Sequence, residues 1–312
     1  MHQETLKDSC PINKAHILNW HCCGTGFSYG HFGEILQGAF KTDSGLCRGL
    51  VTLPCHSVGS SVNVNISNGV GEIITPPGKL KIEMAVRAYV EHYTLSPHLT
   101  FEIHQSSSIP EGVGMGSSTS DIVATLRALD QAIGVETDSL TLAGMTLQAE
   151  KACDAIMFSD GTRLFAQREG VVVEDFACQL PAMTIVGVNT SPFEKFDTDL
   201  TPPAIYNEYE LSEFNVLRQE LREGLKNNDL NTIAQVSTRS AEINQHHFPK
   251  PRFKTLQTYK DRFAALGICV AHSGTVSGLI FHPDQILTDT SKAEICSALA
   301  KDTIAPMGIY HL

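Results

Sequence analysis

This 312-residue sequence has no CxxC pair and a shortage of positive charge, with 23 Lys and Arg against 34 Asp and Glu. Nor does it contain a window approaching the ~18 apolar residues that a membrane-spanning helix requires. The net charge of −11 argues against a general nucleic-acid or anionic-membrane binder, because both present dense negative charge. A local basic pocket for a phosphorylated ligand stays open. The nine cysteines are odd in number and irregular in spacing, and include the adjacent pair Cys22-Cys23. They read as reduced thiols rather than a disulfide framework. Zinc is disfavoured as well, since His21-Cys22-Cys23 and His246-His247 lack ligand spacing. Met1 to Lys14 is polar, with no apolar core of a secretory leader. No internal repeat or low-complexity segment is found. A cytoplasmic globular protein is expected, and 42% hydrophobic residues supply core for one large domain or two ordinary ones.

What the chain does have is concentrated at Ile109 to Asp121. Gly112, Gly114 and Gly116 alternate and are followed at once by Ser117, Ser118, Thr119 and Ser120. Leu99 to Ile103 alternates like a strand before them. After them Ile122, Leu126, Leu129 and Ile133 recur at helical spacing, predicting a helix from about Ser117 that stops at Gly134. Strand, glycine loop and helix in this order suit phosphate. Glycine lets an anion approach without meeting a Cβ, and the free N–H groups and positive dipole end of the helix face back into the loop. The hydroxyls can ligate magnesium or the phosphate itself. The competing reading is a flexible turn with a Ser/Thr cap. No lysine follows the glycines, so this is not a Walker loop, and the dinucleotide spacing is absent too.

Gly24 to Gly38 holds five glycines in fifteen residues. It reads either as a pair of tight turns between strands or as a loop lining a ligand cleft, with His31 or Glu34 facing it. His16 to Trp20 is a short apolar stretch before it. Ser61 to Ile66 predicts a strand, with Glu72 to Thr75 pairing to it across Asn68-Gly69. Lys81 to Tyr93 has the spacing of a half-buried helix. A helix capped by Asp138 or Ser139 leads to Glu150 and Asp154, which would share one face if the helix continued. Two neighbouring acids suit a cation or proton transfer, or else a solvated turn paired with Lys151. Strands are expected at Thr162 to Gln167, Val171 to Phe176 and Thr184 to Asn189, and a surface loop or lid at Thr190 to Pro203. Helices follow at Glu208 to Lys226, Asp229 to Asn244 and Phe253 to Leu266. Next, Ile268 to Phe281 reads as a strand, a small-residue turn and another strand, followed by a helix from about Ser291 to Ala300 and a last strand at Thr303 to Tyr310. The shift in composition near 180–205 predicts a boundary between domains 1–180 and 181–312.

The order of these features resembles the GHMP kinases, whose phosphate loop has the form Pro-x-x-x-Gly-Leu-Gly-Ser-Ser. Here Pro110, Gly114, Met115, Gly116, Ser117 and Ser118 match it, with Met for Leu. Within that superfamily the chain is similar to the L-threonine kinases of cobalamin side-chain synthesis. The similarity lies in Gly114 to Asp121, in Gly33-Glu34-Ile35-Leu36-Gln37-Gly38 and in Ala271-His272-Ser273-Gly274-Thr275. It departs from them in having Glu150-Lys151-Ala152-Cys153-Asp154 for Glu-Pro-Thr-Asp, in the added Gly24 to Gly30 stretch, and in Phe32 where a small residue is expected.

The resemblance implies an α+β, two-domain GHMP kinase fold, with an N-terminal ribosomal-S5-like α/β domain, a C-terminal ferredoxin-like α+β domain, and ATP in the cleft between them. It implies ATP on Pro110, Gly112, Gly114, Met115, Gly116, Ser117, Ser118 and Thr119. Mg²⁺ would be held by Ser117 or Ser118 with Glu150. Asp154 would be the catalytic acid-base or orienting group. His31, Glu34, Ser273, Gly274 and Thr275 would line the acceptor, with Glu34 opposite an ammonium group. Asp121, expected in the first helical turn, reads as a helix-dipole partner. The implied reaction is phosphorylation of a small hydroxyl amino acid, L-threonine foremost. Homoserine, serine or a related amino alcohol is the alternative acceptor, and a non-catalytic nucleotide binder the alternative class. The expected partner is thus a small molecule, with neither nucleic acid nor membrane, and a homodimer is left open.

Overall fold

The structure is a computed structural model that describes residues 21–42, 45–193, 204–285 and 288–312. Its spine is an antiparallel pair of long strands, β1 (His21–Thr42) and β2 (Gly45–Asn68). Then come β3 (Ile73–Ile74), α1 (Leu80–His92), β4 (Leu99–Ser107), α2 (Ser117–Ile133), α3 (Ser139–Ala149), β5 (Arg163–Ala166), β6 (Val171–Asp175) and β7 (Thr184–Asn189). The C-terminal part adds α4 (Glu208–Lys226), α5 (Leu230–Asn244), α6 (Phe253–Arg262), β8 (Gly267–Val270), β9 (Val276–Phe281), α7 (Asp289–Lys301) and β10 (Ala305–His311). The strands form one sheet in the order β10-β7-β9-β8-β1-β2-β4-β3, with β5 on β2 and β6 on β5. β1 joins its two sides, pairing with β2 along its length and with β8 where Glu34 lies opposite Val270.

Three hydrophobic clusters bind the helices to this sheet. Val62, Val64 and Ile66 of β2 and Phe101 and Ile103 of β4 bury against Ile82, Val86 and Tyr89 of α1 and Ile122, Leu126 and Leu129 of α2. Phe32, Ile35, Leu36 and Phe40 of β1 meet Phe214, Leu217 and Leu221 of α4 and Ile233 and Val236 of α5. Val186, Val188, Ile268, Leu279 and Phe281 lie under Leu256 and Tyr259 of α6 and Ile295 and Leu299 of α7. Helix ends follow local chemistry. Asp138 caps α3 by accepting from Leu140 N and Thr141 N, and Asn207 and Glu210 form a reciprocal capping box on α4. Gly134 ends α2 in a left-handed conformation. No helix among the described residues is long and apolar enough to cross a membrane.

Two expectations are corrected. Gly24 to Gly38 is neither a cleft loop nor a pair of turns but part of β1. A Cβ on Gly24 would stand 2.1 Å from the Ala128 carbonyl oxygen, and one on Gly26 would stand 2.0 Å from that of Ala124. These glycines let the α2 backbone lie directly on the strand, a standard reason for glycine within a sheet. The segment Glu72 to Thr75 does not pair with β2. β3 runs parallel to β4, Ile73 opposite Phe101, because both edges of β2 are already taken by β1 and β4. The stretches Met1 to Lys14 and His16 to Trp20, and residues 194–203 of the expected lid, lie outside the described residues.

The α2–β1 contact has a direct test. Gly26→Ala forces a methyl into helix backbone and is expected to cost about 2 kcal/mol or more by overpacking. Gly144, on the open side of α3 with nothing within 4 Å of its added Cβ, is the control; Gly144→Ala should stabilise by about 0.5–1 kcal/mol through helix propensity. Urea denaturation of both variants measures the difference, and equal midpoints would refute the close-contact account.

Candidate active site

The loop between β4 and α2 is held by backbone geometry that favours glycine. Gly112, Gly114 and Gly116 have φ of 76°, 90° and 70°, in the left-handed region that side chains disfavour. Gly116 is the N-cap of α2 and makes no side-chain cap bond, so the first N–H groups of the helix and its dipole face the loop. The loop touches the C-terminal glycine turn. A Cβ on Gly114 would lie 2.1 Å from Ser273 O, and one on Gly274 would lie 2.4 Å from Val113 O. Thr275 N and Val276 N both donate to Val113 O, at 3.0 and 3.1 Å. Ser273, Gly274 and Thr275 are therefore neighbours of Gly114 in space. Pro110 is exposed at the outer end of the loop, while Met115 is fully buried beneath it.

Glu150 and Asp154 do come together, but not by sharing a helix face. α3 ends at Ala149, and Glu150 has the extended φ −147° and ψ 158°. The chain then runs out to Cys153, whose N–H donates to Gln167 O at 3.0 Å, and Asp154 precedes a short 3₁₀ turn. Both acids meet the first turn of α2. Ser118 Oγ donates to Glu150 at 2.8 Å, Thr119 Oγ1 donates to Glu150 at 2.6 Å, and Thr119 Oγ1 lies 3.4 Å from Asp154 Oδ2. Lys81 Nζ is 3.2 Å from Glu150. Burial raises the Glu150 carboxyl above its ordinary value, and the hydroxyls and Lys81 offset this only in part. Ser117 makes no side-chain hydrogen bond to either acid among the described residues, so the two hydroxyls on Glu150 are those of Ser118 and Thr119.

His31 and Glu34 reach the same place because β1 is bulged. Residues three apart on a regular strand point to opposite faces, but the β1–β2 register shifts between His31 and Glu34. Gly33 sits in the bulge at φ 77°, where a Cβ would stand 2.6 Å from the Val270 carbonyl carbon. His31 Nε2 is 3.2 Å from Asp154 Oδ2, and His31 Nδ1 is 3.6 Å from Glu34 Oε1. One ligand-capable atom each from His31, Glu34 and Asp154 lies within 4.8 Å of the others. Burial would lower His31, but Asp154 and Glu34 outweigh it and raise the imidazole to about 9. Burial would raise Asp154, yet the charge and hydrogen bond of His31 hold it below the ordinary carboxylate value. Burial dominates at Glu34 and pushes it up to about 8. The residue is 2% exposed, and neither carboxylate oxygen has a hydrogen-bond partner.

Asp121 has a different role from the one its position in the sequence suggested. It lies beyond the first turn of α2, buried, and accepts from Ser60 Oγ at 2.6 Å, Gln105 Nε2 at 2.7 Å and Lys79 Nζ at 2.9 Å. It ties α2 to β2, β4 and the start of α1 rather than complementing a dipole. His272 Nδ1 donates to Gln37 Oε1 at 3.0 Å, and burial together with Lys250 lowers it to about 4. Sequence reasoning missed Gly33 as the bulge, Lys81 on Glu150, and Lys250, whose place between Pro249 and Pro251 was the available signal.

A raised His31 stabilises the fold fully below its ordinary 6.5, and that contribution is lost as pH rises through about 9. Heteronuclear NMR should therefore show the His31 imidazole titrating near 9 in the wild type. In Asp154→Asn the midpoint should move down. An unchanged midpoint would mean that Asp154 is not its main partner.

Comparison with known proteins adds independent findings. The GHMP kinases N terminal domain matches residues 81–161, which span α1 through the 3₁₀ turn after Asp154. The chain is 30% identical over 204 residues to an L-threonine kinase of Salmonella typhimurium, a match covering 62% of this chain and 66% of that relative, just under two thirds of its length. The fold is that of a galactokinase from Lactococcus lactis, with TM-score 0.67 and 13% identity over 93% of this chain and 92% of that one. It is also that of a homoserine kinase from Cytophaga hutchinsonii, with TM-score 0.65 and 16% identity over 93% and 94% of the two chains. Residues 81–161 thus carry a GHMP kinase N-terminal domain match, and the chain as a whole shares the fold of these kinases.

Proposed function

We propose that the protein transfers the γ-phosphoryl group of ATP to the side-chain hydroxyl of a small amino acid, L-threonine foremost, giving O-phospho-L-threonine. The observation that carries this reading is the meeting of Glu150 and Asp154 at the Thr119 hydroxyl, in the first turn of the helix that follows the glycine loop. Phosphoryl transfer asks a protein mainly for positioning and charge management. The loop Pro110 to Thr119 would bind the triphosphate with the N–H groups and dipole of α2. Glu150, Ser118 and Thr119 offer only hard oxygen donors, the set that Mg²⁺ takes, so they fit the ion, with Ser117 beside them. Mg²⁺ supplies charge neutralisation on the phosphates. Asp154, kept ionised by His31, accepts the acceptor hydroxyl and is the nearest base for its proton. Glu34, buried without a hydrogen-bond partner, suits an ammonium group, because a buried carboxylate with no hydrogen bond is costly. Ser273, Gly274 and Thr275 close the site from the C-terminal side, and the nucleotide would lie between domains 1–180 and 181–312. The name of the Salmonella relative supports threonine as the acceptor.

The test is ADP release with Mg-ATP across threonine, serine, homoserine and related amino alcohols. Threonine should give the highest kcat/KM. A higher value for homoserine would transfer the assignment to that acceptor, and ATP binding with no turnover on any of them would make the protein a nucleotide binder. Asp154→Asn should lower kcat on the order of 10³-fold with circular dichroism unchanged. Glu150→Gln should raise the Mg²⁺ concentration for half-maximal rate about 10-fold or more, and an unchanged requirement would remove Glu150 from the metal site.

A further inference from the structure

Lys250 is a charged side chain that the proposed reaction does not use, and it is only 6% exposed. It lies between α5 and α6, flanked by Pro249 and Pro251, which limit its backbone freedom. Its own N–H is anchored on Gln245 Oε1 at 2.7 Å. The ammonium donates to Gly274 O at 2.7 Å and to His272 O at 3.3 Å, two carbonyls of the C-terminal glycine turn. Burial pushes Lys250 down to about 7, with Glu34 partly opposing the shift.

The bonds leading on from this ammonium are aligned. The Gly274 carbonyl shares a peptide with the Thr275 N–H, and that N–H donates to Val113 O at 3.0 Å. The Val113 carbonyl shares the next peptide with the Gly114 N–H, inside the glycine loop. Neither peptide is cis, so each N–H points away from its own carbonyl. When Lys250 is protonated, the result is a line of dipoles that starts at its positive charge and ends on a loop N–H, every member oriented the same way. Thr275 is 2% exposed, and in such a low-dielectric setting each hydrogen bond polarises the next.

We propose that Lys250 is a positioning residue for the nucleotide: through the Gly274–Thr275 and Val113–Gly114 peptides it polarises the glycine loop toward the triphosphate and holds the two glycine turns together. This rests on the reading of the loop as the ATP phosphate site. The alternative is that Lys250 only fills space or supplies a hydrogen bond, in which case its charge is irrelevant to the nucleotide.

The experiment compares Lys250→Met, Lys250→Gln and Lys250→Arg after circular dichroism has established folding. Calorimetry reads the Kd of a non-hydrolysable Mg-ATP analogue without acceptor, and steady-state kinetics read the acceptor KM. Met and Gln should each weaken the analogue about 10-fold, Arg should stay within about 3-fold of wild type, and acceptor KM should move less than about 2-fold. Gln binding as tightly as wild type would show that a neutral donor suffices and overturn the proposal. So would parallel losses for nucleotide and acceptor, the mark of a general loss of shape. If Met does not fold, Gln against wild type decides. A wild-type protein that does not bind the analogue would overturn the nucleotide reading itself, and the role of Lys250 with it.

Discussion

A bulge in one strand decides which charged groups of this protein meet at the start of α2. β1 has to keep its ladder with β2 while meeting β8 at Val270, and Gly33 absorbs the mismatch at φ 77° against the Val270 backbone. The bulge removes the alternation that would send His31 and Glu34 to opposite faces. Both then turn toward the first turn of α2, where Asp154 stands. The same strand, a few residues earlier, carries the glycines on which α2 rests. One strand thus locates the helix N-terminus and supplies the groups that face it.

The charges in this cluster are interdependent. Each group is buried enough that its charge alone would be unfavourable, and the outcome at each depends on its partner. Asp154 stays ionised because His31 is protonated, and His31 stays protonated because Asp154 is ionised. Glu34 lies 3.6 Å from His31 without a hydrogen bond to its oxygens, and burial outweighs the attraction and pushes it toward its neutral form. Glu150 lies between, its oxygens engaged by two hydroxyls and one lysine. Asp154, held ionised, can orient a hydroxyl, whereas Glu34, whose charge burial opposes, gains its charge most readily when a cation comes beside it.

Local patterns were readable wherever one physical requirement acted alone. α2 was legible at both ends, since its apolar spacing, the glycines before it and Gly134 after it agree. α4 and β7 coincide with the expected spans because each carries its own period and, in α4, its own capping box. Gly24 and Gly26 were misleading because glycine serves turns and close packing alike, and the Ala124 and Ala128 carbonyls that demand it lie a hundred residues away. Glu150 and Asp154 were correctly paired for an incorrect reason. α3 ends at Ala149, short of Cys153, whose N–H is held by Gln167 O just beyond β5, and the acids converge through Thr119 instead.

By itself the sequence determined the helices and the shorter strands, the glycine loop at a helix N-terminus, and the resemblance carried by its motifs, because these depend on residues close together in the chain. Only the tertiary structure decided that Ser118 and Thr119 face Glu150, that His31 joins Glu34 to Asp154, and that Lys250 reaches the second glycine turn. Those contacts depend on a register shift and on strand order. Neither leaves a local period, since each is settled by which edges and volumes remain when the rest of the sheet has formed. The glycine loop was visible as a loop, while what faces it was chosen by packing.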